Sequence, residues 1–240
     1  GGSLTLTNSV LEHSQMHGVY GVENGTSSIL DNIISDCDGV GIYISDASYS
    51  IGPTISPEIR NNVISNCLYP IRLNVENGYT GEFRITDNSG TNNTNNYIEL
   101  PSLLKGSVKL GSSNSFDWKF SGKLSQTGTW ELQPGEVIRV SGNVSIEGVL
   151  TSVATAAEPV VFTSMKDSDY GNSASEGTPA KGDWQGIWVK SGGSAILDHA
   201  IIRYGGSTNL STSSRSLVRV EWGGSLTLTN SVLEHSQMHG

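Results

Sequence analysis

The first 18 residues, GGSLTLTNSVLEHSQMHG (Gly1–Gly18), recur without a single change as Gly223–Gly240, at an offset of 222 residues. A match of this length does not arise by chance, so the sequence predicts one complete period followed by the first 18 residues of the next copy. Such a chain is expected to belong to a tandem array, and neither end need be a natural domain boundary. This restricts the fold to architectures whose units stack on one another.

A shorter repeat lies inside the 222-residue period. Four segments share the order apolar-x-polar-x-apolar-apolar, and they start at Leu6, Ile29, Ile59 and Leu197. With Val10, Ile33 and Val63 in register the steps are 23 and 30 residues, and the step from Ile201 to Val232 is 31. Short alternating segments separated by Gly, Asn, Asp and Ser predict stacked β-strands. A helical repeat would instead need apolar residues at i, i+3, i+4 and i+7.

Three longer segments carry a resemblance to a known fold. They are LQPGEVIRVSGNVSIEGVLTSVATAAEPVVFTS (Leu132–Ser164), GDWQGIWV (Gly182–Val189) and ILDHAIIRYGG (Ile196–Gly206). In this order they resemble the right-handed parallel β-helix, pectin-lyase-like repeats of very large bacterial and archaeal surface proteins. The resemblance implies an all-β, right-handed parallel β-helix with coils of about 21–31 residues. It implies no particular reaction, because this fold hosts both enzymes and inert stalks.

The sequence also predicts how the coils are divided along the chain. Residues 1–88 are expected to form β-helix coils, 118–222 the coils of the next block, and 223–240 the start of the next repeat. Between the blocks, 89–117 is expected to be a seam or linker, because SGTNNTNN (Ser89–Asn96) has nothing to bury. A long loop within one block is the alternative for this segment.

Charge and hydropathy exclude two classes of partner. The chain has 14 Lys+Arg and 23 Asp+Glu, a net charge of −9, whereas a protein that tracks nucleic-acid phosphates needs a basic face. No apolar run approaches the ~18 residues of a membrane span. We therefore expect neither a nucleic acid nor a membrane as partner. A polar, acidic surface with few Lys residues suits an extracellular or cell-surface location.

No catalytic and no cofactor-binding residue is predicted. A glycoside hydrolase needs two carboxyl groups about 5–9.5 Å apart, and the best pair is Asp36 and Asp38, with Asp31 nearby. The paired-Asp, Gly-His-Gly and Arg-x-Lys signatures of the β-helical polygalacturonases are missing, and so is the Arg-centred motif of the lyases. Asp36 is expected at a turn, stacked between His13 and Asn66, which is typical of a solvated face.

A metal site is predicted in the loop DSDYGNSASE. Its candidate ligands are Asp167, Asp169, Asn172 and Glu176, whose closely spaced oxygen atoms suit a hard cation such as Ca²⁺. The pattern is less regular than Asp-x-Asn-x-Asp-Gly, and a solvated acidic loop is the alternative. No other cofactor is expected.

A structural ladder is predicted at one corner of the coils. Asn8, Asp31 and Asn61 share one coil position, and His199 takes the same place in another coil. Stacked there, polar side chains could donate to one coil and accept from the next, so that turn backbone groups are not buried unpaired.

The two cysteines are predicted to stack. Cys37 follows Ile33 by four residues, as Cys67 follows Val63. In adjacent coils their Cα atoms would lie ~4.8 Å apart, which is within the range of a disulfide. The parallel side-chain directions would strain that bridge, so a disulfide and a pair of stacked thiols both remain open.

These features favour a non-enzymatic structural module of an extracellular fibre, stalk or adhesin shaft. Its expected partners are neighbouring copies of the same repeat, stacked end to end. One alternative is a module that binds or cleaves a carbohydrate, with a surface polysaccharide as ligand. Another is a filament subunit, in which separate chains assemble through their strand edges.

Overall fold

The computed structural model describes residues 3–23, 27–46, 57–74, 82–110, 115–172, 177–207 and 216–238. Its regular elements are β-strands, and none of the residues just given lies in a helix. The chain falls into two compact units. Unit 1 comprises Gly1–Trp118 with Asn172–Ala174, and unit 2 comprises Lys119–Gly171 with Ser175–Gly240.

Unit 1 is built from three columns of parallel strands. The first column consists of β1 (Leu4–Thr7), β4 (Ser27–Leu30), β7 (Glu58–Arg60), β10 (Glu82–Thr86) and β13 (Ser107–Leu110). The second consists of β2 (Val10–Glu12), β5 (Ile33–Ser35) and β8 (Val63–Ser65). The third consists of β3 (Val19–Glu23), β6 (Val40–Asp46), β9 (Tyr69–Asn74) and β11 (Tyr97–Glu99), followed by β14 (Asp117–Lys119) at the division between the units. The short strand β12 (Leu103–Leu104) lies between β11 and β13 in sequence.

Unit 2 also contains three columns of parallel strands. The first contains β16 (Thr129–Leu132), β19 (Val149–Ser152), β22 (Ser194–Asp198) and β25 (Ser225–Thr229). The second contains β17 (Val137–Val140), β20 (Val160–Ser164), β23 (Ala200–Arg203) and β26 (Val232–Glu234). The third contains β15 (Gly122–Leu124), β18 (Asn143–Ile146), β21 (Gly186–Val189) and β24 (Val218–Val220).

The register of the strands is the one that the short repeat predicts. Val10 pairs with Ile33, and Ile33 with Val63, in parallel strands. In unit 2, Ile201 pairs with Val232 in the same way. Each strand therefore hydrogen-bonds to its counterpart one coil away, as in a parallel β-helix. The predicted all-β solenoid is confirmed.

The core of each unit lies inside its coils, on the inward side of the alternating strands. In unit 1, Ile29, Ile59 and Ile85 form one inward column, and each is fully buried. In unit 2, Leu150 and Leu197 are fully buried on the same column of strands. Truncating such a side chain to Ala costs about 2–5 kcal/mol. The outward residues Val10, Ile33 and Val63 are exposed, so alternation decides burial even among apolar residues.

The predicted domain boundaries stay a prediction, and the structure shows which strands form in the predicted linker. The segment 89–117 contains the strands β11, β12 and β13. Within SGTNNTNN, Asn93 is buried, and its side-chain amide donates to the backbone oxygen of Ile64 at 2.9 Å. This polar stretch therefore forms coil corners, because its amides bond to the backbone of the preceding coil.

Candidate functional site

A left-handed residue marks the corner that follows the first strand of a coil. Asn8, Asp31, Asn61 and His199 have φ values of 49°, 58°, 56° and 51°. Asn and Asp tolerate this conformation because their short polar side chains can hydrogen-bond locally. All four residues belong to the predicted ladder.

The buried ladder lies one residue further along the chain. Asn32, Asn62 and Asn88 are at most 1% exposed. The Nδ2 group of Asn32 donates to Oδ1 of Asn62 at 2.9 Å, and Nδ2 of Asn62 donates to Oδ1 of Asn88 at 2.9 Å. The same oxygens accept the backbone N–H groups of Asn32 and Asn62 at 3.1 and 3.2 Å. These amides satisfy corner backbone groups that would otherwise be buried without partners.

The predicted ladder stays a prediction, and two of its residues, Asp31 and Asn61, come one position before the buried amides. Asn8, Asp31 and Asn61 are exposed, and Nδ2 of Asn61 donates to Oδ1 of Asp31 at 3.0 Å on the surface. His199 lies beside the Asp198 carboxylate, with Nδ1 3.1 Å from Oδ2. The left-handed residue turns the chain so that its own side chain points outward, and in unit 1 the next side chain enters the coil.

A second corner carries the candidate carboxylates for sugar chemistry. His13, Asp36 and Asn66 are left-handed there, with φ values of 58°, 54° and 56°. Nδ2 of Asn66 donates to Oδ1 of Asp36 at 2.9 Å. An open polar cleft is lined by His13, Ser14, Gln15, Asp36, Asp38 and Asn66. The corner thus contains a stacked polar column in which Asp36 already accepts a hydrogen bond from the next coil.

The two cysteines lie inside unit 1 as neighbours. Cys37 and Cys67 are 3% and 2% exposed, and both are free thiols. Each Sγ approaches a backbone oxygen two residues earlier, Ser35 at 3.6 Å and Ser65 at 3.4 Å. Burial, together with the adjacent Cys37, raises the pKa of the Cys67 thiol to about 12. Such a thiol is unreactive because the nucleophile is the thiolate.

The loop predicted to bind calcium is organised by Arg203. Asp167 is fully buried, and its carboxylate accepts hydrogen bonds from Thr163 Oγ1 at 2.5 Å and from the Asp169 N–H at 3.1 Å. Nη2 of Arg203 donates to Asp169 Oδ2 at 3.0 Å, and Nε lies 3.7 Å from Asp167 Oδ2. Burial alone would lower the pKa of Arg203, but Asp167, Tyr204 and Glu234 raise it. A cation at this loop would compete with a guanidinium for the same carboxylates.

The other two predicted ligands are Asn172 and Glu176. Asn172 belongs to unit 1, where its backbone N–H donates to Asp117 Oδ1 at 2.8 Å and its backbone oxygen accepts Nδ2 of Asn96 at 3.0 Å. Glu176 lies outside the described residues. In the described ranges, no group of three or more His, Cys, Asp or Glu side chains could hold a metal ion. The calcium site stays a prediction.

Arg139 is a second buried arginine of unit 2, and the sequence alone did not predict its role. Arg139 is fully buried, and its guanidinium donates to the backbone oxygens of Ser164, Asp167 and Tyr170 at 3.2, 2.5 and 2.8 Å. The signal was present in Val-Ile-Arg-Val (Val137–Val140), where a charged residue interrupts an apolar strand. Arg139 shapes the loop through its backbone, and Arg203 does so through its carboxylates.

Unit 1 also carries an aromatic cluster that was not predicted from the sequence. The rings of His17, Tyr20 and Tyr43 lie 5.0–5.7 Å apart between centroids. Tyr20 pairs with Tyr43, and Tyr43 with Arg72, on the outward side of the third column. Tyr20 is 56% exposed. Tyrosine at the same place in Gly18-Val-Tyr20 and Gly41-Ile-Tyr43 was the available signal.

Comparison with known proteins gives a family match for the first part of the chain. Residues 1–116 match the family model described as right handed beta helix region. No significant match was found among curated proteins or solved structures. With the parallel columns described above, the match identifies an all-β, right-handed parallel β-helix, as the resemblance of the sequence implied. The described part of the chain contains no helix with the length and hydrophobicity of a membrane span.

Proposed function

We propose that this β-helix is a non-enzymatic structural module of a tandem-repeat extracellular fibre, stalk or adhesin shaft. One observation carries the proposal: the identical segments at the two ends fold as the same coil. Leu4–Thr7 and Ser225–Thr229 both form first-column strands, and Val10–Glu12 and Val232–Glu234 both form the next strand. Asn8 and Asn230 both have a φ of 49°. A period that ends with the coil with which it begins can be continued by another copy.

The engagement of the polar side chains supports a structural role. The corner amides Asn32, Asn62 and Asn88 bond to one another and to the backbone. Arg139 and Arg203 bind the loop beside them. These groups stabilise the coils, because hydrogen bonds between buried polar groups make a structure more rigid. The net charge of −9 favours a soluble, extended surface outside the cell.

A comparison of chains with one and two periods tests this proposal. The longer chain consists of residues 1–240 followed directly by a second copy of 19–240. We expect electron microscopy to show a particle longer by ~4.8 Å for each added coil, and no release of reducing or unsaturated ends from acidic polysaccharides. Turnover of a polysaccharide by either chain would contradict the proposal, as would two-period particles without elongation. Denaturing electrophoresis of the protein isolated from its natural source distinguishes a covalent array from a filament of stacked subunits. Only stacked subunits would migrate at the mass of a single period.

The aromatic cluster favours carbohydrate binding as a second candidate function. Tyrosine and histidine rings on an outward face, with Arg72 in register beside Tyr43, combine apolar ring surface with a hydrogen-bond donor. Titration with acidic oligosaccharides, followed by calorimetry, tests this. Tyr20→Ala would weaken binding, whereas Val10→Ala, which removes an exposed apolar side chain from another column, would not. Equal effects of the two substitutions would contradict it.

A further inference from the structure

The two copies of the 18-residue segment have different neighbours in this chain. The first copy lies against the following coil, which contains Ser27–Leu30 and Ile33–Ser35. The second lies against the preceding coil, which contains Ser194–Asp198 and Ala200–Arg203. The same 18-residue segment therefore contacts a following coil in its first copy and a preceding coil in its second copy.

The first copy bonds to its neighbour through one set of backbone groups. The N–H groups of Asn8, His13 and Gly18 donate to the oxygens of Leu30, Ser35 and Val40 at 3.2, 3.3 and 3.1 Å. The backbone oxygen of Ser9 accepts the N–H of Ile33 at 2.9 Å. All of these bonds run toward the following coil.

The second copy uses a different set. The N–H groups of Ser225 and Gln237 donate to the oxygens of Gly193 and Gly205 at 3.0 and 3.1 Å, and the oxygen of Thr229 accepts the N–H of His199 at 3.1 Å. These residues correspond to Ser3, Gln15 and Thr7 of the first copy. The bonds given above for the first copy use none of these groups, and alternate residues of a parallel strand bond to opposite neighbours.

The side chains of the second copy add contacts to the preceding coil. Asp198 Oδ1 accepts hydrogen bonds from Thr229 Oγ1 and Asn230 Nδ2 at 2.7 and 2.9 Å. Glu234 Oε1 lies 3.1 Å from Arg203 Nε. The ring of His235 stacks on Tyr204, with 5.0 Å between centroids and 10° between planes. The corresponding Thr7, Asn8, Glu12 and His13 lie on the first copy, at the start of unit 1.

We propose that, in a tandem array, the segment 223–240 of one copy is at the same time the segment 1–18 of the next copy. This single shared coil bonds to the preceding and to the following coil at once. The preceding period covers it with Ser194–Tyr204, and the following residues cover it with Ser27–Val40. The register supports this: Ile201 pairs with Val232 as Val10 pairs with Ile33, so a shared strand would have a counterpart in register on each side. The partner is a second copy of this chain, joined without a linker. The inference rests on the proposed function and names the interface it requires.

Amide hydrogen exchange on the one-period and two-period chains tests the shared coil. In the one-period chain we expect slow exchange at Ser225 and Gln237 but fast exchange at the identical Ser3 and Gln15. In the two-period chain, Ser225 and Gln237 of the first period are also Ser3 and Gln15 of the second. The junction coil should protect these two amides and also those of Asn230 and His235, which correspond to Asn8 and His13, with exchange at Asn230 and His235 slowed at least about tenfold relative to the one-period chain. Protection of only one set in the junction coil would overturn the inference. Elongated particles with only one set protected would overturn the shared coil and leave the proposed function standing.

Asp198→Ala provides a matched pair of variants within the two-period chain. In the first period, this substitution removes the acceptor of two hydrogen bonds from the junction coil, so exchange at the Ser225 and Gln237 positions of that coil should accelerate about tenfold. In the second period the same substitution faces the terminal coil, and the junction should be unchanged. Equal exchange at the junction in the two variants would overturn the assigned interface.

Discussion

Asn32 and Asn62 are 30 residues apart in sequence and are joined by a buried amide-to-amide hydrogen bond of 2.9 Å. Nδ2 of Asn62 also donates to the backbone oxygen of Ile29 at 2.9 Å. Each amide thus bonds to two coils and to the corner backbone. Without them, the corner of a coil would carry buried polar groups that no strand can pair.

Asn62→Ala should strongly destabilise the protein. The substitution leaves the backbone N–H of Asn32 and the oxygen of Ile29 without their partners and breaks the ladder, so we expect a loss of about 3 kcal/mol in the free energy of unfolding. Asn61→Gly is the matched control, because Asn61 is exposed with a φ of 56° that Gly adopts easily. It should cost a few tenths of a kcal/mol. Urea unfolding measures the free energy of unfolding of both variants, and equal losses would contradict the role of Asn62 in the buried ladder.

Arg203→Ala should destabilise unit 2. The side chain of Arg203 is 7% exposed and contacts Asp167, Asp169 and Glu234. Removing it leaves the buried Asp167 carboxylate without its cation, which costs about 3–5 kcal/mol. Arg219→Ala is the control, because Arg219 forms a more exposed ion pair with Glu221, and its loss should cost at most about 1 kcal/mol. Thermal or urea unfolding decides, and a neutral Arg203→Ala would refute the role assigned to this arginine.

Calcium should not raise the unfolding temperature. The carboxylates of Asp167 and Asp169 already interact with Arg203, so Ca²⁺ would have to displace a guanidinium. We expect the same midpoint in millimolar Ca²⁺, in Mg²⁺ and in chelator, measured by calorimetry. A rise specific to Ca²⁺ that Asp169→Asn abolishes would show instead that the predicted calcium site forms.

The cysteines should be inert in the folded protein. With a pKa of about 12 for Cys67 and both thiols buried, a thiol-specific chromogenic reagent at pH 8 should react negligibly before unfolding. In denaturant without reductant, two thiols per chain should react. Rapid reaction of the native protein would contradict the buried stack, and zero thiols after unfolding would reveal a disulfide between Cys37 and Cys67.

Acid should weaken the protein through Asp198 and Asp183. Hydrogen bonds from Thr229 and Asn230 hold the pKa of Asp198 below its ordinary value of 3.8. At Asp183, partial burial would raise the pKa, but bonds from Ala180, Ser164 and Lys166 lower it. Folded carboxyls with lowered pKa values contribute stability above the ordinary value, and this is lost as the pH falls through the folded pKa.

The matched measurement is urea unfolding from pH 5 to pH 2. The free energy of unfolding should fall below about pH 4, and Asp198→Asn combined with Asp183→Asn should flatten that fall. An unchanged slope in the double variant would contradict the assignment of these two groups.

Local patterns of the sequence predicted the coil well. The register of Val10, Ile33 and Val63 follows from alternation and step length, and each pairing in the structure agrees with it. Cys37 and Cys67 were assigned to one position by the same counting, and they are adjacent in the core. Pattern works here because each strand pairs with its own counterpart one coil away, so sequence spacing translates directly into spatial register.

Contacts of side chains at the corners and in the loop could not be predicted in this way. The spacing of Asp167 and Asp169 predicts metal ligands, but it does not record that both carboxylates lie beside Arg203, a residue on a different strand. Arg139 likewise donates to backbone oxygens that lie 25 to 31 residues later in the chain. Such pairings depend on which distant segments of the chain lie side by side in the fold. The spacing of residues within one segment does not predict this.

By itself, the sequence determined the exact recurrence of Gly1–Gly18 as Gly223–Gly240 and the parallel stacking of the coils. Only the tertiary structure decided which of two adjacent corner residues enters the interior. Asp31 and Asn32 are both polar, and Asn61 is followed by an identical residue, Asn62. The left-handed φ at Asp31 and Asn61 turns those side chains into solvent and places Asn32 and Asn62 inside. A one-residue difference of this kind depends on backbone rotation at the corner, and composition and period are the same for either choice.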